Sequence, residues 1–187
     1  MSDEAMMENS LDNFEFPVEF SNLRHHDHRG FFQERFSNLD SQGIRNCEIV
    51  QENLSSSHRG VLRGWHWQIP PFAQGKLVTC VNGAILDACL DLRLKSPTFG
   101  EILTFELDST KLNSLWIPVG FAHAFQALAD NTLVFYSTTS SFSPELSRAI
   151  NPLDHSLPIE WPIADPILSE KDATAPLFTE LPEADLF

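Results

Sequence analysis

The stretch HRGVLRGWHWQIPPFAQGKLVTC, residues 58–80, brings basic, histidine and aromatic side chains together in strand-like sequence. Residues 61–67 alternate with the period of a β-strand. The predicted strand carries Arg63, Trp65 and Trp67 on one face and Leu62, Gly64 and His66 on the other. A turn follows, and the next strand begins at Lys76.

Cations beside a histidine on neighbouring strands indicate a pocket for an anionic ligand with a proton-transfer group inside it. The alternative is an ordinary β-sheet in which a few polar side chains are buried with hydrogen-bond partners. This stretch alone leaves the two interpretations equally open.

The composition is that of an acidic globular chain. Its 187 residues suffice for one domain with a substantial core, and 42% of them are apolar. The net charge of −14 argues against nucleic acid and anionic membranes as partners. Seven of the twelve basic residues nevertheless fall within residues 24–76. This clustering favours local binding of an anion, although scattered surface arginines would also account for it.

Cysteine use and the N-terminal sequence predict a cytoplasmic protein. Cys80 and Cys89 lie in apolar strand-like runs, where thiols usually pack as small hydrophobic groups, and neither they nor Cys47 form a CxxC pair. Residues 1–16 are acidic and lack the basic start and apolar core of a signal peptide. No apolar run approaches the roughly 18 residues of a membrane span.

The first third of the chain predicts short strands. Residues 1–12 are polar and expected to be mobile, and residues 13–187 are expected to form a single domain. Strands are predicted at 14–20, 31–36 and 48–54, with a turn at 25–30 and a short helix within 37–45. The turn carries His25, His26 and His28, which could ligate a metal, although an exposed loop is favoured.

The remainder is more plainly β. Asn82-Gly83 is a strong two-residue hairpin turn between strands at 77–81 and 84–94, and further strands are predicted at 101–107, within 115–125 and at 131–137. Prolines recur from residue 144 onward and predict a C-terminal tail that wraps the domain as loops and short helical turns. About nine or ten short strands imply an all-β closed barrel or double-sheet jelly roll, which can enclose a ligand cavity.

Five polar residues on or beside predicted strands can converge on such a cavity: Arg63, His66, Lys76, His123 and Tyr136. A metal-binding barrel would pair an H-x-H motif with a carboxylate a few residues later, but no acid follows His66 before Asp87, so no metal is predicted. No cysteine or G-x-S-x-G elbow accompanies the histidines. Acid–base chemistry remains, to which a histidine oriented by a carboxylate is suited.

The sequence resembles the dTDP-4-dehydrorhamnose 3,5-epimerase family of deoxysugar nucleotide biosynthesis. The matching blocks run in family order from residue 14 to residue 176. They are DHRGFFQERF (27–36), QEN (51–53), VLRGWHWQ (61–68), PPFAQGKLV (70–78), SPTFG (96–100), LWIPVGFAHAF (115–125), FYSTT (135–139), LPIEWP (157–162) and LSEKD (168–172). The resemblance implies a cupin-type jelly-roll barrel that acts as a homodimer, without metal or cofactor, on a nucleoside-diphosphate 4-keto-6-deoxyhexose, with dTDP as the expected nucleotide.

The resemblance also implies roles for individual residues. His66 matches the base that removes a proton α to the ketone, Asp172 matches its carboxylate partner, and Tyr136 matches the acid on the opposite face. Further matches are to substrate-binding positions, some of them across the dimer interface: Arg29, Glu34, Gln51, Asn53, Arg63, Lys76, His123 and Lys171. Arg63 and Lys76 are expected to offset diphosphate and enolate charge.

Several positions depart from the family pattern. The family's T-x-YY-x-P reads Thr139-Ser140-Ser141-Phe142-Ser143-Pro144 here, so Phe142 stands where the family has a substrate-facing tyrosine. A carboxylate that often follows that proline is replaced by Ser147. We therefore expect one of the two centres, C3 or C5, to be inverted faster, with C3 favoured. Two alternatives stay open, a metal-dependent cupin enzyme and a non-catalytic barrel that binds sugar nucleotides.

Overall fold

Two five-stranded antiparallel sheets form the body of the computed structural model, which describes residues 16–36 and 48–187. The strands are β1 (Val18–Phe20), β2 (Arg24–Asp27), β3 (Gly30–Gln33), β4 (Gln51–Ser57), β5 (Leu62–Gln68), β6 (Lys76–Asn82), β7 (Ala84–Asp91), β8 (Ile102–Asp108), β9 (Ser114–Ile117), β10 (Phe121–Ala127), β11 (Thr132–Thr138) and β12 (Ser147–Ala149). The mobile segment expected at 1–12 and the helix expected within 37–45 lie outside the described residues.

The strand order is that of a double-sheet jelly roll. The first sheet runs β1-β9-β6-β11-β4 and the second runs β12-β5-β10-β7-β8, while β2 and β3 form a separate hairpin. Consecutive strands β6 and β7 meet at the predicted Asn82-Gly83 turn, but they belong to opposite sheets and do not pair, so the predicted hairpin is wrong. The predicted all-β jelly-roll fold is confirmed.

The core between the sheets comes from one parity of each strand. Val78, Leu115 and Val134 from the first sheet pack against Ile85 and Leu107 from the second, and all five are fully buried. Burial of each such side chain contributes about 1.5–3 kcal/mol to folding. Toward β5 this apolar filling gives way to polar side chains.

The C-terminal tail covers the outer face of the second sheet. Trp65, Leu90 and Ala122 on that face pack against tail residues that include Leu157 and Phe187. The Phe187 amide donates to the Leu92 carbonyl, which anchors the end of the chain. The tail contains one short helix, α1 (Glu170–Ala173), and two 3₁₀ turns, Phe178–Glu180 and Glu183–Asp185. The predicted wrapping tail is confirmed.

Two further predictions about local structure were wrong. Residues 25–27, expected to lie in a turn, belong to strand β2, because Arg24 to Asp27 pair in register with Gln33 to Gly30. The alternation predicted for residues 61–67 also breaks down. His66 lies opposite His123 and Arg63 lies opposite Phe125, so three steps along β5 match two steps along β10. This bulge brings Arg63 and His66 to the same face.

Gly64 is required within that bulge. Its φ is +117°, and a Cβ there would lie 2.5 Å from the His123 carbonyl oxygen and 2.6 Å from Ala124 Cα. Only a residue without a side chain allows β5 and β10 to approach so closely.

Cys80 and Cys89 are buried as free thiols, as expected for small hydrophobic side chains. Among the described residues, no helix has the length and apolar character needed to cross a bilayer.

Candidate active site

A cavity of about 520 Å³ opens between the two sheets and reaches α1 in the C-terminal tail. Its volume lies in the range usual for small-molecule sites. Eight of the residues predicted from the sequence line it: Arg63, His66, Lys76, His123, Tyr136, Phe142, Lys171 and Asp172. In a chain of net charge −14, three of these eight are lysine or arginine, so the cavity is suited to an anionic ligand.

His66 and Asp172 form a close pair at one wall of this cavity. His66 Nε2 lies 2.6 Å from Asp172 Oδ1. The His66 side chain is 37% exposed to the cavity, whereas the Asp172 side chain is 4% exposed. The carboxylate therefore lies behind the imidazole, and the imidazole faces the open space.

The short helix α1 fixes Asp172 in this position. Ser169 caps the helix, since its hydroxyl accepts a hydrogen bond from the Asp172 amide. Burial opposes ionisation of the carboxyl group, but hydrogen bonds from His66, Ser169 and the Gly64 backbone, with the attraction of His66, outweigh it and lower the pKa of Asp172. Asp172 is thus a carboxylate at neutral pH.

This contact selects the imidazole tautomer. An ionised carboxylate only accepts hydrogen bonds, so His66 Nε2 carries the hydrogen that Asp172 receives. The lone pair is then on Nδ1, which is the atom able to take a proton. Asp172 also stabilises the imidazolium that results.

Tyr136 stands on the opposite sheet. It lies on β11, whereas His66 lies on β5, and both side chains line the cavity. Burial raises the pKa of Tyr136, and the charge of Arg63 partly offsets this effect. Its phenol is therefore protonated at neutral pH and can donate a proton.

Two cationic side chains, Lys76 and Arg63, lie beside His66 and Tyr136. Lys76 is buried, and its Nζ donates to the His66 carbonyl oxygen at 3.1 Å. Burial lowers the pKa of Lys76 to about 8, although nearby Cys89 and Asp87 favour the charged form. Arg63 is held by Ser57 Oγ and the Ser56 carbonyl oxygen, each at 3.1 Å.

His123 has a carboxylate partner that the sequence gave no reason to choose. His123 Nε2 lies 2.8 Å from Asp87 Oδ2, and both side chains are buried. Burial raises the pKa of Asp87, while His123 and Lys76 oppose this shift. Asp87 and Cys89 share the inward face of β7, and the alternation of that strand placed them together. The contact between Asp87 and His123 follows only from the pairing of β7 with β10.

Four of the predicted binding residues do not line this cavity. Arg29 and Glu34 lie on or beside the β2–β3 hairpin, where Arg29 pairs with Asp27. Gln51 and Asn53 lie on β4, and Asn53 is opposite Tyr136 in the register. Gln51 instead accepts a hydrogen bond from the Phe142 amide at the cavity rim.

Phe142 and Lys171 occupy the rim itself. The Phe142 side chain is half-exposed, and the Lys171 ammonium group lies 3.4 Å from Ser147 Oγ. Sequence reasoning missed Gln68 and Gln74, which also line the cavity. Gln68 lies inside the quoted VLRGWHWQ block, but no spacing rule singles out an amide there.

Within the described ranges, no group of three or more histidine, cysteine or acidic side chains is arranged to hold a metal ion. His66 and His123 each commit Nε2 to a carboxylate. His25 and His26 pair with Phe32 and Phe31 in the hairpin.

The sequence and the fold both have relatives. The family model described as dTDP-4-dehydrorhamnose 3,5-epimerase matches residues 16–180. A dTDP-4-dehydrorhamnose 3,5-epimerase of Shigella flexneri is 44% identical over 163 residues, which are 86% of this chain and 88% of the relative.

Two solved structures illustrate the range of similar proteins. The dTDP-6-deoxy-D-glucose-3,5-epimerase of Legionella pneumophila, in complex with dTDP-4-keto-L-rhamnose, superposes with a TM-score of 0.86 at 35% identity and 94% coverage of each chain. A 3′-monoepimerase of Streptomyces bikiniensis, in complex with dTDP-quinovose, has a TM-score of 0.82 at 34% identity, covering 91% of this chain and 87% of its own.

Proposed function

The chain belongs to the dTDP-4-dehydrorhamnose 3,5-epimerase family and is an isomerase of nucleotide-linked 4-keto-6-deoxyhexoses, and we propose that His66, Asp172 and Tyr136 carry its chemistry. The observation that supports this assignment is the 2.6 Å contact between His66 and buried Asp172 in a cavity whose other sheet carries Tyr136. The arrangement provides a base and an acid on opposite sides of a bound sugar.

The first step is removal of a proton from a carbon next to the ketone. His66 Nδ1 takes the proton, the C–H electron pair forms the C=C bond of an enolate, and negative charge develops on the ketone oxygen. Asp172 stabilises the imidazolium. Positioned general-base catalysis of this kind contributes typically about 10²–10⁴-fold to the rate.

The second step returns a proton to the opposite face of the same carbon. Tyr136 faces the substrate from the other sheet, and its raised pKa keeps the phenol protonated. The enolate electron pair re-forms the ketone as the Tyr136 proton is transferred. His66 then releases its proton to solvent, and Tyr136 takes up a proton from solvent.

Lys76 and Arg63 supply the positive charge that the intermediate requires. Lys76 is fixed by its bond to the His66 carbonyl oxygen, and Arg63 is fixed by Ser56 and Ser57. Preorganised charges in a water-poor cavity stabilise a developing oxyanion more than mobile ones do. Lys171 and His123 complete the polar wall.

We propose that the nucleotide is dTDP. The similar Legionella and Streptomyces proteins were solved in complex with dTDP-sugars. Phe142 at the cavity rim, and Gln51 and Asn53 on β4 beside β11, are the proposed contacts for the nucleotide or the sugar.

We also propose a homodimer in which the β2–β3 hairpin carries Arg29 and Glu34 toward the partner's cavity. Phe31 and Phe32 on this hairpin and Leu54 on edge strand β4 are exposed apolar side chains, which is unfavourable for an isolated protomer. Sedimentation equilibrium measures the oligomeric state and tests this proposal. Replacement of Phe32 by Glu is expected to give monomers, and a wild-type monomer would contradict the proposal.

Residues 13–187 are proposed to form one epimerase domain that works in the cytoplasm, where Cys80 and Cys89 stay reduced. No observation favours a metal-dependent enzyme, because the described part of the chain has no group of three or more histidine, cysteine or acidic side chains arranged to hold a metal ion. None favours a non-catalytic barrel.

The experiment that tests the function is incubation of the protein with dTDP-4-keto-6-deoxyglucose in D₂O, followed by ¹H NMR. We expect deuterium at a carbon next to the ketone and a product with inverted configuration there, unaffected by EDTA. Binding without hydrogen exchange would indicate a non-catalytic barrel, and loss of activity with EDTA would indicate a metal enzyme.

A further inference from the structure

The segment between β11 and β12 crosses the rim of the cavity and carries Phe142. It is not part of either sheet ladder, and Phe142 is its only aromatic side chain. Phe142 lines the cavity although half of its surface is exposed. An irregular surface segment of this kind normally satisfies its backbone with water and samples several conformations.

Side-chain amides hold this segment instead. The buried Gln68, at the end of β5, donates from Nε2 to the Ser141 carbonyl oxygen at 3.1 Å and accepts the Ser143 amide on Oε1 at 2.6 Å. Its second N–H donates to the Phe72 carbonyl oxygen at 2.6 Å. Both N–H groups and the carbonyl oxygen of Gln68 are therefore used for backbone groups of two loops.

Two further glutamines complete the arrangement. Gln74 Nε2 donates to the Ser140 carbonyl oxygen at 2.8 Å, and Gln51 Oε1 accepts the Phe142 amide at 2.8 Å. Four consecutive residues, 140–143, thus each have a backbone group bonded to a glutamine side chain. Gln68 is the only one of the three that holds the segment on both sides of Phe142.

We infer that Gln68 is a positioning residue for the epimerase reaction: it fixes the Phe142 ring at the cavity rim so that the ring forms a wall for the bound nucleotide sugar. The inference rests on the proposed function, because it assigns Phe142 to substrate binding. Gln68 suits this role because it is uncharged, and its hydrogen bonds direct the backbone without adding charge to the cavity that it lines. Its loss releases Phe142 and weakens substrate binding.

Gln126 provides a matched control. It is also a buried glutamine that holds a loop from both directions, since its Nε2 donates to the Ile163 carbonyl oxygen and its Oε1 accepts the Ile163 amide. Gln126 does not line the cavity. A purely structural effect of losing such a bridge will therefore appear in both Gln68→Met and Gln126→Met.

The test compares KM, kcat, dTDP affinity by calorimetry and Tm for Gln68→Met, Gln126→Met, Phe142→Ala and the double variant Gln68→Met/Phe142→Ala. We expect Gln68→Met and Phe142→Ala each to raise KM by about 3- to 10-fold with a smaller change in kcat. The KM of the double variant should not exceed the KM of the more impaired single variant, because both changes remove the same wall. Gln126→Met should lower Tm and leave KM unchanged.

Three results would overturn the inference: unchanged KM and dTDP affinity in Gln68→Met, multiplication of the two effects in the double variant, or an equal rise of KM in Gln126→Met. Should Gln68→Met not fold, Phe142→Ala still decides, since Phe142 is half-exposed, and an unchanged KM there contradicts the inference. Absence of exchange by the wild-type protein would instead refute the proposed function, and dTDP affinity alone would then decide the role of Gln68.

Discussion

Asp172 lies behind His66, 106 positions away in the chain, and approaches His66 Nε2 to within 2.6 Å. The carboxylate is buried and its pKa is lowered by the hydrogen bonds that it accepts, whereas the imidazole faces the cavity. This order, carboxylate then imidazole then open space, fixes the tautomer of His66 and suits the role of base proposed for it. The predictions below depend on it.

Tyr136→Phe is expected to separate the two halves of the reaction. Abstraction by His66 continues, so deuterium still enters the substrate with retained configuration, but inverted product falls because the donor on the opposite sheet is gone. The chain contains no other tyrosine to replace it. Exchange and epimer formation are followed together by NMR in D₂O. Normal epimer formation would show that another donor, such as water, occupies that face.

Lys76 is expected to set the alkaline limit of activity. Its pKa of about 8 in the folded protein means that its positive charge is lost above that pH, so kcat/KM should decline through pH 8. Lys76→Met should be slow at every pH and lack this decline. The prediction is checked by the pH profile of kcat/KM for both proteins. The same decline in Lys76→Met would show that another group sets the alkaline limit.

The same shift predicts how stability changes with pH. The unfolded lysine keeps its proton up to about pH 10.5, and the buried one loses it near pH 8. Between these values the unfolded state binds more protons, so this residue makes the free energy of unfolding rise with pH. Urea unfolding of wild type and Lys76→Met at pH 7 and 9.5 checks this. The free energy of unfolding of wild type, relative to that of Lys76→Met, should be larger at pH 9.5 than at pH 7.

Gly64→Ala is expected to destabilise the protein strongly and to slow exchange. The new Cβ would overlap the His123 carbonyl oxygen and Ala124, in a backbone conformation with positive φ. Gly30→Ala is the matched control, because Gly30 also has positive φ but no atom within 4 Å of the added Cβ. Strain alone costs about 1–3 kcal/mol. Equal losses of Tm in the two variants would show that the close approach of β5 and β10 is not required.

Phe142 is expected to limit the second inversion. It lines the cavity without a hydroxyl to hold the sugar in a second pose, and a hydrogen bond of that kind contributes roughly 0.5–1.5 kcal/mol. We predict rapid deuterium uptake at one centre, C3 favoured, and slow uptake at the other. Phe142→Tyr should narrow the gap, whereas Phe99→Tyr, outside the cavity, should not. Equal rapid uptake at both centres in wild type would contradict this.

Local sequence was enough to predict most of the fold. The alternating runs on either side of Asn82-Gly83 specify two strands and their faces, and the structure has Ala88 and Leu90 on the tail side with Cys89 inside. The predicted hairpin is wrong, because this turn joins strands of opposite sheets, and a turn motif does not specify which strands pair. The bulge in β5 escaped prediction because periodicity assumes that every residue advances the strand by one step. Gly64 marked the place, but a glycine in a strand does not specify how its neighbours are redirected.

The site was predictable where a motif carried the chemistry and not where pairing depends on distant strands. His66 was recognisable within its strand, while Asp172 was found only through the family resemblance, since the tail could have folded over either sheet. Asp87 was noticed in the sequence but could not be linked to His123 before β7 and β10 were known to be neighbours. Gln68 acts on a loop 73 positions away, and no sequence pattern records that contact.

The most direct test of the account is hydrogen exchange by His66→Asn with dTDP-4-keto-6-deoxyglucose in D₂O, compared with wild type and Asp172→Ala by ¹H NMR. Removal of the base should slow exchange at every carbon next to the ketone by about 10²–10⁴-fold, with an unchanged circular dichroism spectrum. Asp172→Ala should be slowed less, because Asp172 orients the base and does not itself take the proton. Full exchange in His66→Asn would contradict the account and make His123 the next candidate for the base.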